Sequence, residues 1–220
     1  MSESTWSPAP AAESLQAIQK AVAGYVLMPT DDEMLDCALQ GIRRGVDRLN
    51  SRTWNWALVY QTITFVAGTQ EYPLDAQFKQ PRNFALRDSA AVDRDRLSYL
   101  AWGDFLKEVQ YDASGSPCYY SASNPNLYGV VRLDVSPSSS FVSTYPTGRL
   151  WYYRRVAYPV ATGTSLDVPS EATMFLQAVA EGYAADRFAP EKAQPAYQRS
   201  ERFLHELIVD DCHGQQTDWE

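Results

Sequence analysis

The sequence has few of the residues on which catalytic sites usually depend. Its 220 residues include two histidines, His205 and His213, both near the C-terminal end. No serine stands in a G-x-S-x-G motif, and the phosphate-binding patterns G-x-x-x-x-G-K and G-x-G-x-x-G do not occur. These absences argue against a Ser/His/Asp hydrolase and against a nucleotide-binding enzyme. We therefore expect no enzymatic activity, no cofactor and no metal site.

Two acidic groups could in principle support chemistry, but each has a simpler interpretation. Asp93 and Asp95 could form a carboxylate pair of the kind that glycosidases use, yet a polar surface loop explains them. The Asp-Asp-Cys-His run at 210–213 offers metal-capable atoms, but sequence neighbours seldom converge on one ion. We assign the first group to a surface loop and the second to a solvated helix end.

Basic residues, cysteines and long apolar runs are also scarce. Nineteen Lys and Arg stand against 27 Asp and Glu, a net charge of −8, which argues against a protein that wraps nucleic acid. Three distant cysteines, Cys37, Cys118 and Cys212, form no disulfide framework and favour synthesis in a reducing cytoplasm. The N-terminal residues lack the pattern of a signal peptide, and no apolar run is long enough to span a membrane.

What is present predicts a packed protein that begins with helices. Apolar residues make up 45% of the chain, enough to bury roughly 70% of the unfolded surface. Helical spacing predicts a first helix over 12–24, and a capping box of Thr30 and Glu33 begins a second. Gly41 and Gly45, four residues apart in that helix, indicate either close approach of another helix or two tolerated glycines. The apolar stripe of the second helix consists of Leu35, Leu39, Ile42, Val46 and Leu49.

The opposite face of the second helix carries arginines. They either meet an acidic partner, which would make them a subunit interface, or simply face water. Of the chain's 19 basic residues 15 are Arg, the residue that pairs best with carboxylates. The arginines of this face are Arg43, Arg44, Arg48 and Arg52.

The middle of the chain changes to a strand pattern, and helices return after it. Extended runs are predicted at 59–66, 83–87, 117–121, 128–135 and 149–156, with one helix near 101–109 and a Ser-rich hairpin at 136–148. Past Pro169, Ser170 is expected to cap a helix that reaches Phe188, and Pro190 and Pro195 separate it from a last helix. Helices, strands and helices in this order predict an α+β fold.

This order also predicts the domain organisation. The N- and C-terminal helices are expected to form a helical bundle, with an inserted antiparallel β module that is a small sandwich or barrel. Residues 59–160 are near neutral, whereas the flanking parts carry 9 basic and 18 acidic residues. We predict a flexible start at 1–11, a bundle from 12–58 with 165–204, a β-rich domain at 59–164, and a C-terminal tail at 205–220.

Aromatic residues concentrate in the predicted β module. Tyr119-Tyr120 and Trp151-Tyr152-Tyr153 lie in strands, so alternate rings point to opposite faces and some must point away from the core. That second face could be a carbohydrate platform, a subunit interface or a surface that covers the helical module. Tyr and Trp suit an interface because they bury a large area and retain a polar atom.

The ordered set of these signals resembles the head-to-tail adaptor proteins, or connectors, of tailed bacteriophages. The match begins with a Leu-rich helix that ends in Arg48-Leu49-Asn50, then Trp54-x-Trp56, then TITFVAGTQEYPL at 62–74. It continues with Gly115-x-Pro117-x-Tyr119-Tyr120, Leu150-Trp151-Tyr152-Tyr153-Arg154, and Val168-Pro169 ahead of Ala180-x-Gly182-Tyr183-Ala184. The Ser-rich segment at 136–148 departs from the family, which has a shorter turn there.

The resemblance implies a non-enzymatic virion protein, made in the host cytoplasm, at the head–tail interface. It implies a dodecameric ring that docks under the portal protein, joins a tail nozzle or tail-completion protein, and lines the channel through which the genomic DNA leaves. The C-terminal segment would reach into the portal through His205, Ile208, His213 and Trp219. The acidic balance fits a channel that passes DNA without holding it. A carbohydrate- or host-surface-binding module of a virion is the alternative.

Overall fold

The hydrophobic periodicity of the terminal regions produces helices, and the β-branched middle produces strands. The computed structural model describes residues 15–110, 113–122, 129–159, 166 and 168–214, without the side chains of the last two. The helices are α1 (Leu15–Val26), α2 (Asp32–Asn50), α3 (Trp102–Glu108), α4 (Ser139–Thr144), α5 (Ser170–Phe188) and α6 (Pro190–Gly214). The strands are β1 (Leu58–Thr64), β2 (Glu71–Pro73), β3 (Phe78–Arg87), β4 (Asp93–Tyr99), β5 (Ser114–Gly115), β6 (Tyr119–Ala122), β7 (Val130–Leu133), β8 (Ser136–Pro137) and β9 (Thr147–Arg154).

The chain divides into two compact units, each with its own core. The described residues of Met1–Trp56 and Val156–Glu220 form the helical unit, and those of Ala57–Arg155 form the β unit. The terminal helices and the central, mostly antiparallel sheet confirm the predicted α+β class.

In the helical unit, α5 packs against α1, α2 and α6. The two glycines of α2 lie on its contact with α5: a Cβ on Gly41 would lie 2.7 Å from the Cα of Ala180, and one on Gly45 would lie 2.6 Å from Leu176 Cδ2. The close approach of a neighbouring helix is therefore confirmed. Asn50 holds the chain where it returns to this unit, because its side chain both donates to and accepts from the backbone of Val156.

The ends of α2, α5 and α6 differ from the sequence prediction. Asp31, not Thr30, caps α2, and its carboxylate accepts a hydrogen bond of 2.8 Å from the Met34 amide. Ser170 is the first residue of α5, so Pro169 occupies the cap position. Pro195 does not break the last helix: α6 begins at Pro190 and contains Pro195 within its second turn. Because proline lacks an N–H, this helix loses one backbone bond there but continues.

The β unit contains a seven-stranded sheet in the order β1-β9-β3-β4-β6-β7-β2, antiparallel except between β4 and β6, and a two-stranded parallel sheet of β5 and β8. The six-residue connection between the edge strands β1 and β2 spans at most about 24 Å. A flat seven-stranded sheet would separate its edges by about 29 Å, so the sheet must curl. Across the curled edges, Gln61 Nε2 donates to the carbonyl of Pro73 at 3.0 Å. The sheet is therefore a half-barrel, in agreement with the predicted barrel-like module.

The inner face of the half-barrel buries an aromatic core. Phe65 lies among the rings of Tyr72, Phe84 and Phe141, with centroid distances between 5.6 and 5.9 Å. The predicted Ser-rich hairpin is wrong: Ser138 caps the short helix α4 by accepting from the Phe141 amide, and Phe141 enters the core. Asp93 and Asp95 do not lie on a loop either, because they belong to β4.

Candidate functional site

Of the four arginines predicted for one face of the second helix, which we call the arginine face, Arg43, Arg44 and Arg48 lie on α2. The placement of Arg52 on this helix is wrong, because α2 ends at Asn50. Arg44 and Arg48 contact other helices of the unit. Arg48 donates to both carboxylate oxygens of Glu201 on α6, at 2.7 and 3.0 Å. Its guanidinium also lies 5.7 Å from the ring centroid of Phe175 on α5, and that of Arg44 lies 4.4 Å from the ring of Tyr183. The acidic partner expected for this face is thus present, for Arg48, within the chain itself.

The Arg48–Glu201 pair shifts the pKa of both partners. The hydrogen bonds from Arg48 hold the pKa of the Glu201 carboxyl below its usual value, and those to Glu201 raise the pKa of Arg48. The other two residues of the arginine face, Arg43 and Arg52, are exposed, and Arg43 also contacts the carbonyl of Pro159 at 3.5 Å. Arg44 is exposed as well, so three of the four arginines lie at the surface.

The predicted C-terminal contact residues begin inside a helix. His205 is exposed and Ile208 is half-buried on α6, which continues to Gly214. The side chain of His213 and all of Trp219 lie outside the described residues.

The last turns of α6 are tied to the segment that precedes the sheet. Asp211 accepts a 2.7 Å hydrogen bond from the Asn55 amide, and Asn55 Nδ2 donates to the Asp211 carbonyl at 2.9 Å. Burial raises the pKa of the Asp211 carboxyl, although the backbone bonds oppose that shift. A cleft of about 300 Å³ lies here, lined by Asn55, Trp56, Pro169, Glu171, Leu207, Asp210 and Asp211.

Two of the five aromatic residues predicted to make contacts of the β unit are core residues instead. Tyr120 is 1% exposed and packs on the ring of Phe84 at 5.3 Å; Tyr152 is 4% exposed and packs on Phe78 at 5.2 Å. Burial raises the pKa of Tyr152 to about 12, and burial also raises the pKa of Tyr120. Strand alternation is the reason, because it turns these two rings inward.

The alternate positions reach the surface, as alternation predicts. Tyr119 is exposed, and Trp151 and Tyr153 are half-buried. Strand pairing places Tyr60 of β1 directly opposite Trp151, with ring centroids 5.0 Å apart. The guanidinium of Arg149 lies 4.9 Å from the Tyr60 ring and 5.9 Å from the Trp151 ring.

We call Tyr60, Arg149 and Trp151 the outer aromatic cluster. No sequence pattern singles out Tyr60 or Arg149 as a contact residue. Strand alternation predicts which side chains of one strand share a face, but it does not predict that β1 pairs with β9.

The described part of the chain contains no group of three or more His, Cys, Asp or Glu side chains able to hold a metal ion. None of the described helices has both the length and the apolar composition required to cross a membrane.

Comparison with known proteins identifies the family. No curated protein matches the sequence. The SU10 adaptor protein family matches residues 13–219, a range that includes both units. The chain therefore belongs to the SU10 adaptor protein family and is a phage adaptor-type structural protein.

Proposed function

We propose that this protein is the head-to-tail adaptor of a tailed bacteriophage virion. Twelve copies form a ring that docks under the portal protein, joins a tail nozzle or tail-completion protein, and lines the DNA exit channel. The observation that carries the proposal is the family match, which extends over both the helical unit and the β unit. The protein acts without catalysis, at the neck of the virion, after synthesis in the host cytoplasm.

Charge supports a role beside DNA that does not include tight binding to it. The chain carries 27 acidic and 19 basic residues, and its acidic excess lies outside the segment 59–160. A surface of the same sign as the phosphate backbone repels DNA, which allows a genome to pass without being held.

Two surfaces of the helical unit have complementary charge for a ring. Arg43 and Arg52 present positive charge, and the N-terminal half of α2 exposes Asp32 and Asp36. In a head-to-tail ring, the positive surface of each copy contacts the acidic surface of the next copy. We assign Arg43 and Arg52 to the ring interface on this basis.

The C-terminal contact with the portal is assigned to His205, Ile208, His213 and Trp219. The hydrogen bonds between Asp211 and Asn55 fix the last turns of α6. A contact made next to a fixed helix end costs less conformational entropy than one made by a free segment. Tyr119, Trp151 and Tyr153 are assigned to contacts of the β unit with the tail-side partner.

The alternative, binding of a carbohydrate or a host surface, has support from the exposure of Tyr60, which is 49%. A sugar would have to stack on an open ring face. The Arg149 guanidinium lies over both the Tyr60 and the Trp151 rings, which favours a protein contact there over a sugar platform.

The test is imaging by electron microscopy of the purified protein mixed with the portal protein of the same phage. We expect twelvefold rings docked on the portal, and saturable binding to glycans by isolated monomers would instead support the alternative. Trp219→Ala should abolish docking, whereas Trp6→Ala, the matched control near the other end of the chain, should not. Docking that is unchanged by Trp219→Ala would contradict the assigned portal contact.

A further inference from the structure

The sheet of the β unit forks between β4 and β6. These strands pair in parallel only at Ser98 with Tyr119 and at Tyr99 with Tyr120. The amide of Ser98 donates to the Cys118 carbonyl at 2.9 Å. A continued parallel ladder would next join the Cys118 amide to the Arg96 carbonyl, and the Arg96 amide to the Ser116 carbonyl. Neither Arg96 nor Ser116 belongs to that pairing.

Asp134 is the residue that ends the ladder. Its carboxylate is buried and accepts from the Cys118 amide at 3.1 Å, and from the Tyr119 amide at 3.2 Å. The donor that would have reached Arg96 is thus committed elsewhere. Because backbone groups alternate sides along a strand, the amide and carbonyl of Arg96 point into the gap.

The gap is a cleft of about 360 Å³ with both polar and apolar lining residues. Leu86, Phe141 and Tyr145 line its inner side, and Asp95 on the same face of β4 accepts a hydrogen bond from the Tyr145 hydroxyl. On the outer face of β4, Arg96 is exposed and makes no ion pair with any described residue. The cleft therefore combines backbone groups left open by the strand pairing, the apolar side chains of its inner side, and a cation that has no ion-pair partner among the described residues.

We propose that this cleft is a strand-acceptor site for a short extended segment of another polypeptide chain. The segment would pair with the backbone of Arg96 and place one apolar side chain on Leu86, Phe141 and Tyr145. Its two flanking side chains would point outward beside Arg96, where acidic residues fit best. The recognised pattern is acidic, apolar, acidic. This proposal stands on the β unit alone and does not depend on the adaptor role.

A second copy of the same edge does not fit the site. Suppose that β4 paired with β4 of a second copy about a twofold axis. Even-numbered residues would then lie opposite even-numbered residues, and odd-numbered opposite odd-numbered. Arg94 and Arg96 would then face arginines, and Asp93 and Asp95 would face aspartates. Like charges directly opposite each other destabilise strand pairing, so the alternating sequence of β4 excludes its own copy.

The test uses fluorescein-labelled peptides of sequence Gly-Thr-Glu-Leu-Glu-Thr-Gly, with a control peptide in which lysines replace both glutamates. The first peptide should bind the full-length protein saturably. The affinity of the control peptide should be lower by roughly fivefold or more. Arg96→Glu should weaken binding of the first peptide by a similar factor. Arg82→Glu, a matched charge reversal at an exposed position of β3 that does not line the cleft, should leave it unchanged.

Amide hydrogen exchange distinguishes strand pairing from simple charge attraction. Saturation with the peptide should slow exchange of the Arg96 amide by roughly tenfold or more, because that amide acquires a partner. Absence of saturable binding, equal affinity of wild-type protein and Arg96→Glu, or binding without protection of the Arg96 amide would each overturn the proposal.

Discussion

Arg48 and Glu201, 153 positions apart in the sequence, form a two-pronged ion pair that joins α2 to α6. The pair lies beside Phe175 of α5, the helix that contacts α1, α2 and α6. It therefore joins α2 and α6 next to the helix that both of them contact. A paired guanidinium and carboxylate of this geometry restrict each other in both distance and direction. Arg48 therefore contributes to the helical bundle of its own chain.

The Arg48–Glu201 pair should show a small but measurable coupling. Both side chains are partly open to solvent, at 41% and 61%, so we expect a coupling free energy of about 0.5–1 kcal/mol. The measurement is a double-mutant cycle in urea with Arg48→Ala, Glu201→Ala and the double variant. The exchanged pair, Arg48→Glu with Glu201→Arg, should recover part of the stability that Arg48→Glu loses. A coupling energy of zero would contradict the geometry.

Alanine substitutions at the glycines of α2 should lower the free energy of unfolding by different amounts. Gly41→Ala forces a Cβ against the backbone of Ala180 and should cost about 2–3 kcal/mol of unfolding free energy. Gly45→Ala meets the mobile end of Leu176 and should cost about 1 kcal/mol.

Gly24 of α1 is the matched control for both substitutions. A Cβ at Gly24 meets no atom of the described residues within 4 Å, so Gly24→Ala should stabilise the protein by about 0.5–1 kcal/mol through helix propensity. Urea denaturation of the three variants measures the order. If Gly41→Ala were as well tolerated as Gly24→Ala, the close contact of α2 with α5 would be wrong.

Two carboxylates of α6 should give opposite pH dependences. The pKa of Glu201 is lowered in the folded protein, so its contribution is present above its unfolded value of about 4.3 and is lost as the pH falls through the folded value. The difference in unfolding free energy between wild type and Glu201→Gln should therefore shrink between about pH 5 and pH 3.

Asp211 should behave in the opposite way. Its pKa is raised, so the folded protein binds the proton more tightly, and the contribution is full below the unfolded value of about 3.9. It is lost as the pH rises through the folded value. The stability of wild type relative to Asp211→Asn should therefore increase as the pH falls towards about 4, as measured by urea titrations at several pH values. The same sign for both carboxylates would refute the assignment.

Residue periodicity predicted the helices and strands that depend mainly on neighbouring residues in the sequence. The 3.6-residue period of α2 gave both the helix and the face on which Gly41 and Gly45 meet α5, because periodicity fixes which side chains share a face. The change to a two-residue period likewise predicted the strand at 59–66. Strand alternation predicted that one ring of each aromatic cluster turns outward, but not that Tyr60 would be the neighbour of Trp151.

The errors arose where tertiary packing overrides composition. The Ser-rich segment at 136–148 has the composition of a turn, yet the burial of Phe141 in the core and the capping by Ser138 make it a helix. The sequence Asp-Arg-Asp-Arg of β4 is typical of a loop, and only its ladder with β3 makes it a strand. Contacts such as Arg48 with Glu201 have no local signal at all.

The aromatic residues of β6 should separate core from surface. Tyr120→Leu removes a buried ring packed on Phe84 and should cost about 2–4 kcal/mol of unfolding free energy. Tyr119→Leu, the neighbour on the opposite face, should change stability by less than about 1 kcal/mol. Urea denaturation measures both. Equal costs would contradict the inward orientation of Tyr120.

Ring formation should depend on Arg43 if this residue meets an acidic neighbour. Arg43→Glu should reduce ring assembly, because its carboxylate would face the acidic side of the next copy. Reversal of Arg48 is a poor test, since it also disrupts the ion pair with Glu201 inside the chain. Lys20→Glu, an equal charge change at an exposed position of α1, is the matched control and should assemble normally. Sedimentation velocity and electron microscopy of the variants with the portal protein measure the outcome, and full-sized rings from Arg43→Glu would contradict a ring-interface role for Arg43.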